Sequence, residues 1–457
     1  MSQDSFDLVV LGGGSGGYAA AIRATELGMS VALVEADKLG GTCLHRGCIP
    51  TKALLHAAEV ADVTRESAEY GILAEFTGVD MVAVNAYRDN IVSKKFKGLQ
   101  GLIKQRGIEV VEGRGTLTSP TTVTVGDRTL TGANIVLATG SYSKSLPGLD
   151  IGGRVITSET ALLMDYVPNR VAILGGGVIG VEFASVWRSL GAEVTIIEGL
   201  PHLVPNEEET ISKNLERAFR KRGIEFTVGV RFTSVAQSDT GVVVTLEDGA
   251  TVDADLLLVA VGRGAATQGN GFEDVGITMD RGYVITDDRL ATNIPGVYAV
   301  GDIVPGLQLA HRGYQHGIFV AEEIAGLNPI VISDVNIPKV TYSEPEVASV
   351  GLSEAKAIEI HGADKVAAYE YNLVGNGKSE ILGTAGIVKV VRVVDGPVVG
   401  VHMVGSRVGE LIGEAQLVVN WEAQPEDIAP LVHAHPTQSE ALSEAYMYLA
   451  GKPLHTL

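Results

Sequence analysis

One local pattern is present twice in this chain, and it leaves little freedom in the fold. Residues 7–11 form a short apolar run of the kind that makes a buried parallel strand. They lead into Gly12-Gly13-Gly14-Ser15-Gly16-Gly17, then a helical pattern to Leu27, a stop at Gly28, and an apolar run at 31–34 that ends in Glu35. The same succession starts again at 171–174. Gly175-Gly176-Gly177-Val178-Ile179-Gly180 is the turn, a helix runs to Leu190, Gly191 stops it, and a strand at 194–197 ends in Glu198. Each landmark keeps an offset of 163 residues, from Gly12 and Gly175 to Glu35 and Glu198.

A single G-x-G-x-x-G is weak evidence. Two of them, each inside a complete strand–turn–helix–strand–acid unit, predict two Rossmann-like dinucleotide-binding domains of α/β class. Gly12 and Gly175 permit the tight turn, Gly14 and Gly177 let the backbone approach a pyrophosphate, and Gly17 and Gly180 let helix pack on strand. Free N–H groups at each helix start then bind phosphates. Glu35 and Glu198 stand where a carboxylate accepts ribose hydroxyls. Glu198 disfavours a 2′-phosphate, and Gly199-Leu200-Pro201 supplies no arginine, so NAD is expected over NADP. Between the units, 81–106 reads as a long amphipathic helix whose Ile91, Phe96, Leu99, Leu102 and Ile103 are expected to pack. Beyond about residue 337 the pattern changes to alternating strands and then helices, which predicts a separate α+β domain.

The net charge of −20 over 457 residues argues against sequence-independent binding to nucleic acid, which needs a basic face. It would favour a basic partner surface. No apolar stretch is long enough to span a membrane. The first seven residues lack a basic, apolar leader pattern, so a cytoplasmic location is expected. Gly 56 is well above the ordinary share of about 7%; without a collagen period, these glycines are expected in turns and close backbone approaches.

The chain has two cysteines, Cys43 and Cys48, in Gly40-Gly41-Thr42-Cys43-Leu44-His45-Arg46-Gly47-Cys48-Ile49-Pro50-Thr51-Lys52. So close a pair, just after a nucleotide-binding turn, points to a disulfide made and broken during turnover and fed by a flavin. Cys48 is expected to precede a helix at 51–60, whose N-terminal field favours a thiolate. Lys52 is locally unfavourable in a first helical turn, which hints at function. A thiol must also lose its proton, and His435 with Glu440 is the candidate base and its orienting carboxylate. The residues alone leave a structural alternative open, because Thr437-Gln438-Ser439-Glu440 reads equally as a helix capping box. His433 and His435 lack further ligands of structural-zinc type nearby, so no metal is expected.

Taken in order, the two glycine motifs, Cys43-x4-Cys48-Ile49-Pro50-Thr51-Lys52, Gly301-Asp302 and His433-Ala434-His435-Pro436-Thr437-Gln438-Ser439-Glu440 resemble the pyridine nucleotide–disulfide oxidoreductases, most closely the branch that oxidises dihydrolipoamide with NAD. The resemblance implies FAD on the first unit (1–147), with Gly12, Gly14, Gly17, Glu35, Lys52, Thr139, Gly140 and Asp302 as its contacts. It implies NAD on the second (148–268), at Gly175, Gly177, Gly180, Glu182, Glu198 and Gly262. It further implies a central domain at 269–336 that completes the FAD site and a dimer-interface domain at 337–457. Lys52 and Glu182 match a charged pair near the flavin's reactive nitrogen, and Cys43 matches the sulfur that substrate attacks, with Cys48 against the flavin. His435 would come from the opposite subunit, making the active unit a homodimer. The implied partners are the lipoyl domains and acyltransferase core of 2-oxo acid dehydrogenase complexes.

The chain departs from the family pattern at Ser15-Gly16, at His45-Arg46 between the cysteines, and after Arg263, where Gly264 stands in place of a usual proline. Other readings are a related NAD(P)H-dependent disulfide reductase or a flavoprotein kept mainly for complex assembly. The missing arginines near Glu198 and the full set Cys43, Cys48, His435 and Glu440 argue against them.

Overall fold

The computed structural model describes residues 4–456; residues 1–3, which belong to the 1–7 stretch considered above, and Leu457 lie outside them. In the first unit, Ser5–Leu11 lies parallel to Val31–Glu35 on one side and Arg128–Leu137 on the other. Glu109–Glu112 extends this sheet beyond Val31–Glu35. Thr122–Val125 and Gly115–Ser119 turn back antiparallel. The stretches of these strands that lead into the turn are apolar, as burial on both faces of a parallel sheet requires: Leu8, Val9, Val10, Ile135, Val136 and Leu137 are fully buried.

The segment 269–336 closes on this same core. Its strand Val297–Ala299 pairs with Ile135–Leu137, and Phe272, Val284, Val300 and Phe319 join one apolar cluster with Leu8 and Leu33. Its helix Ala310–Ile324 lies against the helix Ser15–Glu26 that follows the first glycine turn.

The second unit is a five-stranded parallel sheet in the order Ile224–Val228, Glu193–Glu198, Arg170–Leu174, Leu256–Val259, Val155–Thr157. An antiparallel three-stranded sheet, Phe232–Gln237, Val242–Leu246 and Thr251–Ala254, stands beside it. The remaining domain is a five-stranded antiparallel sheet in the order Lys339–Thr341, Glu346–Gly351, Val398–Gly405, Ile387–Val393, Val366–Asn372, covered by helices Val408–Asn420 and Glu440–Leu449.

Some local expectations need correction. The long helix is Met81–Gln105, capped by Asp80, whose carboxylate accepts the N–H groups of Val82 and Ala83. Its stripe packs only in part: Ile103 is buried, Ile91, Phe96 and Leu99 are half-buried, and Leu102 is exposed. The helix after the cysteines starts at Cys48 itself and runs to Glu66. Pro50 is tolerated because it falls in the first turn, where its missing N–H has no partner to lose. The last long helix starts at Glu440, with half of the capping box made. Glu440 Oε2 accepts the Thr437 N–H, but the Thr437 hydroxyl donates instead to the Ala434 carbonyl. Among the described residues no helix is long and apolar enough to cross a membrane.

Candidate active site

The first glycine turn is a cradle that side chains would fill. Gly12 turns with φ +108°, and a Cβ there would stand 2.3 Å from the Ala138 carbonyl oxygen. A Cβ on Gly17 would stand 1.7 Å from the Gly12 oxygen, whereas nothing lies within 4 Å of one on Gly14. Glu35 is locked by backbone donors: Oε2 accepts Gly13 N–H at 2.7 Å and Oε1 accepts Asp37 N–H at 2.8 Å. Burial raises the pKa of this carboxyl, and the Gly13 N–H partly opposes it. A cleft of about 660 Å³ opens here, lined by Gly12, Gly14, Glu35, Thr139, Gly140 and Ser141 among others. Thr139 Oγ1 is buried in its wall without a partner. Ser141 donates to Asp302 Oδ2 at 2.5 Å and accepts from Arg263 Nε at 2.8 Å, which ties Asp302 to the same rim. An open turn, an orphaned hydroxyl and a fixed carboxylate fit a dinucleotide such as FAD.

The second turn repeats the first down to its hydrogen bonds. Gly175 has φ +109° and a Cβ would meet Ala260 O at 2.4 Å. One on Gly180 would meet Gly175 O at 1.9 Å, and one on Gly177 would meet nothing within 4 Å. Glu198 accepts Gly176 N–H at 2.7 Å and Leu200 N–H at 2.8 Å. Gly262 (φ +103°) follows the strand Leu256–Val259, and its carbonyl accepts Lys144 N–H. These features fit NAD in the same way. One cation that the local sequence did not reveal is near: Arg231 Cγ lies 3.7 Å from the Cβ position of Gly199.

The cysteines stand as free thiols at the junction of helices Gly41–Arg46 and Cys48–Glu66. Cys48 is the first residue of its helix, where the N-terminal field favours an anion. Its pKa is lowered to about 7, first by the hydrogen bond from Cys43 and, against burial, by Lys52. The proton accordingly stays on Cys43, whose pKa is raised by that same bond and by burial. Lys52, one turn after Cys48, is held by Glu182 at 2.9 and 2.8 Å across 130 residues of sequence. Burial works against its charge, but the Glu182 carboxylate raises its pKa overall. The contact forms because Leu54, Ala58 and Ala61 pack with Val181 and Phe183 in one apolar cluster, laying the cysteine helix against Val178–Leu190. Glu182 is buried and spends both oxygens on Lys52 and on the Tyr342 N–H at 2.9 Å. It therefore fixes Lys52 and the Tyr342 loop, and its charge opposes a thiolate at Cys48.

His435 and Glu440 form a pair, Nδ1 to Oε1 at 2.9 Å, with the histidine side chain 78% exposed. The Thr437 N–H and the His435 ring hold the Glu440 carboxyl below its ordinary pKa despite some burial. Among the described residues no hydrogen bond or ion pair joins His435 to either cysteine of its own chain. His433 pairs instead with Glu414 at 2.9 Å.

The family described as pyridine nucleotide-disulphide oxidoreductase matches residues 6–317, and its dimerisation domain matches residues 337–446. The chain belongs to the pyridine nucleotide–disulphide oxidoreductases. It is 39% identical to dihydrolipoyl dehydrogenase 1, mitochondrial, of Arabidopsis thaliana, over 99% of this chain and 92% of that protein. It is 38% identical to the dihydrolipoyl dehydrogenase of Bacillus subtilis over 98% of this chain and 99% of that one. The crystal structure of LpdA from Mycobacterium tuberculosis superposes with a TM-score of 0.89 at 26% identity, covering 97% of this chain and 99% of the other. As a member of this oxidoreductase family the chain uses FAD and NAD.

For a pyridine nucleotide–disulphide oxidoreductase, the structure also brings tyrosines to the cysteines that sequence reasoning missed. Tyr314 hydrogen-bonds with Cys43, and its ring packs 5.6 Å from that of Tyr18. Tyr342 lies under the Lys52 ammonium, 4.7 Å from nitrogen to ring centre. Tyr18 sits directly after the first glycine motif, a signal that could have been used; Tyr314 and Tyr342 carry no such mark. His316, buried in the helix beside this site, is held neutral by burial, its pKa lowered to about 4.

Proposed function

We propose that this chain oxidises protein-bound dihydrolipoamide to lipoamide and reduces NAD to NADH, through the Cys43–Cys48 pair. The observation that carries this reading is the placement of the two cysteines: they stand where two short-linked helices meet, with Cys48 at a helix N-terminus one turn before Lys52, which Glu182 holds at 2.9 and 2.8 Å. FAD, when bound, supplies two-electron chemistry between the dithiol and the nicotinamide. In the oxidised form, a substrate thiolate attacks Cys43 Sγ, the Cys43–Cys48 bond breaks, and Cys48 leaves as a thiolate held by Lys52. The second substrate thiolate then attacks the substrate sulfur of the mixed disulfide, the bond to Cys43 Sγ breaks, and Cys43 leaves as a thiolate that takes up a proton. Product lipoamide leaves, and both cysteines are left reduced by one electron pair in total.

The substrate proton needs a base. His435, with Nδ1 fixed by Glu440, has its other ring nitrogen free to take it. Because His435 faces outward, we assign it to the cysteines of a partner subunit in a homodimer; the matched dimerisation domain supports this. Domain limits of 1–147, 148–268, 269–336 and 337–457 suit this arrangement. Partners would be lipoyl domains and the acyltransferase core of a 2-oxo acid dehydrogenase complex in the cytoplasm. Glu198 and its backbone donors favour NAD.

The test is stopped-flow absorbance of the FAD-loaded protein mixed anaerobically with dihydrolipoamide and then NAD. A long-wavelength thiolate–flavin band followed by NADH supports the reading. No band and no NADH, in protein whose flavin NADH still reduces, would sink the lipoamide assignment.

A further inference from the structure

The loop after the strand Lys339–Thr341 reaches out of the C-terminal domain to the cysteine helix. It is fixed to the helix Val178–Leu190 at points one turn apart: Tyr342 N–H donates to Glu182 Oε1 at 2.9 Å, and Glu344 N–H donates to Ser185 Oγ at 3.0 Å. Those backbone bonds set the Tyr342 ring under the Lys52 ammonium, 4.7 Å from its centre. Lys52 is itself on the same helical face as Cys48, four residues on. An ammonium on a four-carbon stem is mobile and strongly hydrated. Glu182 holds it from one side, and the aromatic face closes another side to water.

We propose that Tyr342 is a positioning residue for the reduced cysteine pair: its ring, lent by the C-terminal domain, keeps the Lys52 ammonium where it serves as counter-ion to the Cys48 sulfur. This rests on the dithiol reading above and goes beyond it. Other groups also face the pair. Cys43 and Arg263 act on Cys48, Glu182 opposes the thiolate, and Tyr18 and Tyr314 lie by the cysteines. Glu346 and Glu410 face the Tyr342 phenol. Of these groups, Lys52 is the one that stacks on the Tyr342 ring. The phenol hydroxyl is not needed for this role; the π-face is.

The experiment follows the thiolate–flavin absorbance of the two-electron-reduced, FAD-loaded protein against pH in Tyr342→Phe, Tyr342→Leu, Tyr342→Met and Lys52→Met. Tyr342→Phe is expected to overlay the wild type. Tyr342→Leu and Tyr342→Met are expected to move the half-point upward by roughly half to one pH unit. Lys52→Met is expected to move it further. The loop's backbone bonds do not depend on the ring, and Met fills its space if Leu proves unstable. Should the ring-less variants overlay the wild type while Lys52→Met shifts, the proposal is overturned and the dithiol reading stands. Should Lys52→Met leave the half-point in place, Lys52 is not the counter-ion and both fall, with NADH production from dihydrolipoamide reporting separately on the activity.

Discussion

At Cys48 the sulfur feels a helix N-terminus, the Cys43 S–H and the Lys52 ammonium together, and burial opposes all of them. The thiolate is the favoured form above about pH 7 and is lost below it. The long-wavelength band of the reduced protein should therefore rise with pH through about 7; a flat response between pH 6 and 9 would contradict the assignment. At His435, replacement by Gln should lower kcat for dihydrolipoamide by roughly 10²–10⁴-fold while leaving kcat/KM for NAD unchanged, because NAD reacts only after the dithiol half-reaction. Glu440→Gln should cost less, since the ring loses its orienting charge but keeps its own proton chemistry. Steady-state kinetics with both substrates separates these effects. At Glu198, replacement by Ala removes the carboxylate placed for the ribose hydroxyls and leaves Arg231 close by. The preference for NAD over NADP, read as the ratio of kcat/KM values, should fall by roughly 10-fold or more.

Elements explain which of these features could be read in advance. The two nucleotide units were legible because their constraint is local. A Cβ at Gly17 or Gly180 has nowhere to go, so the spacing of glycines along the chain encodes the packing of helix on turn. Gly17→Ala should accordingly strip FAD from the purified protein, measured as the 450 nm absorbance per chain. Gly180→Ala should keep the flavin and weaken NAD binding alone. The start of the cysteine helix was misplaced because Gly47, its N-cap, makes no side-chain hydrogen bond and leaves no signature. The Lys52–Glu182 pair was reached only through a family resemblance, since nothing in a periodicity joins positions 130 residues apart. Tyr342 was out of reach for the same reason: its role depends on one domain's loop docking against another domain's helix. Exposed Leu102 shows the converse error, a stripe with helical spacing that the fold does not cover in a single chain.

At the scale of the whole molecule, the cysteine pair is half-buried where two helices meet, while the histidine proposed to serve such a pair is exposed. On the proposed homodimer, each polypeptide would hold half of two reaction centres and none complete. Genetics can read this arrangement without a structure. Two defective copies, one Cys43→Ser and the other His435→Gln, are each inactive as pure dimers. Co-expressed, they form mixed dimers in which one centre combines both defects and the other combines both intact halves. Random assortment should restore about a quarter of the normal activity per dimer. Restoration would make the dead alleles recessive only in each other's company, and their failure to complement would place the base and the dithiol on one chain.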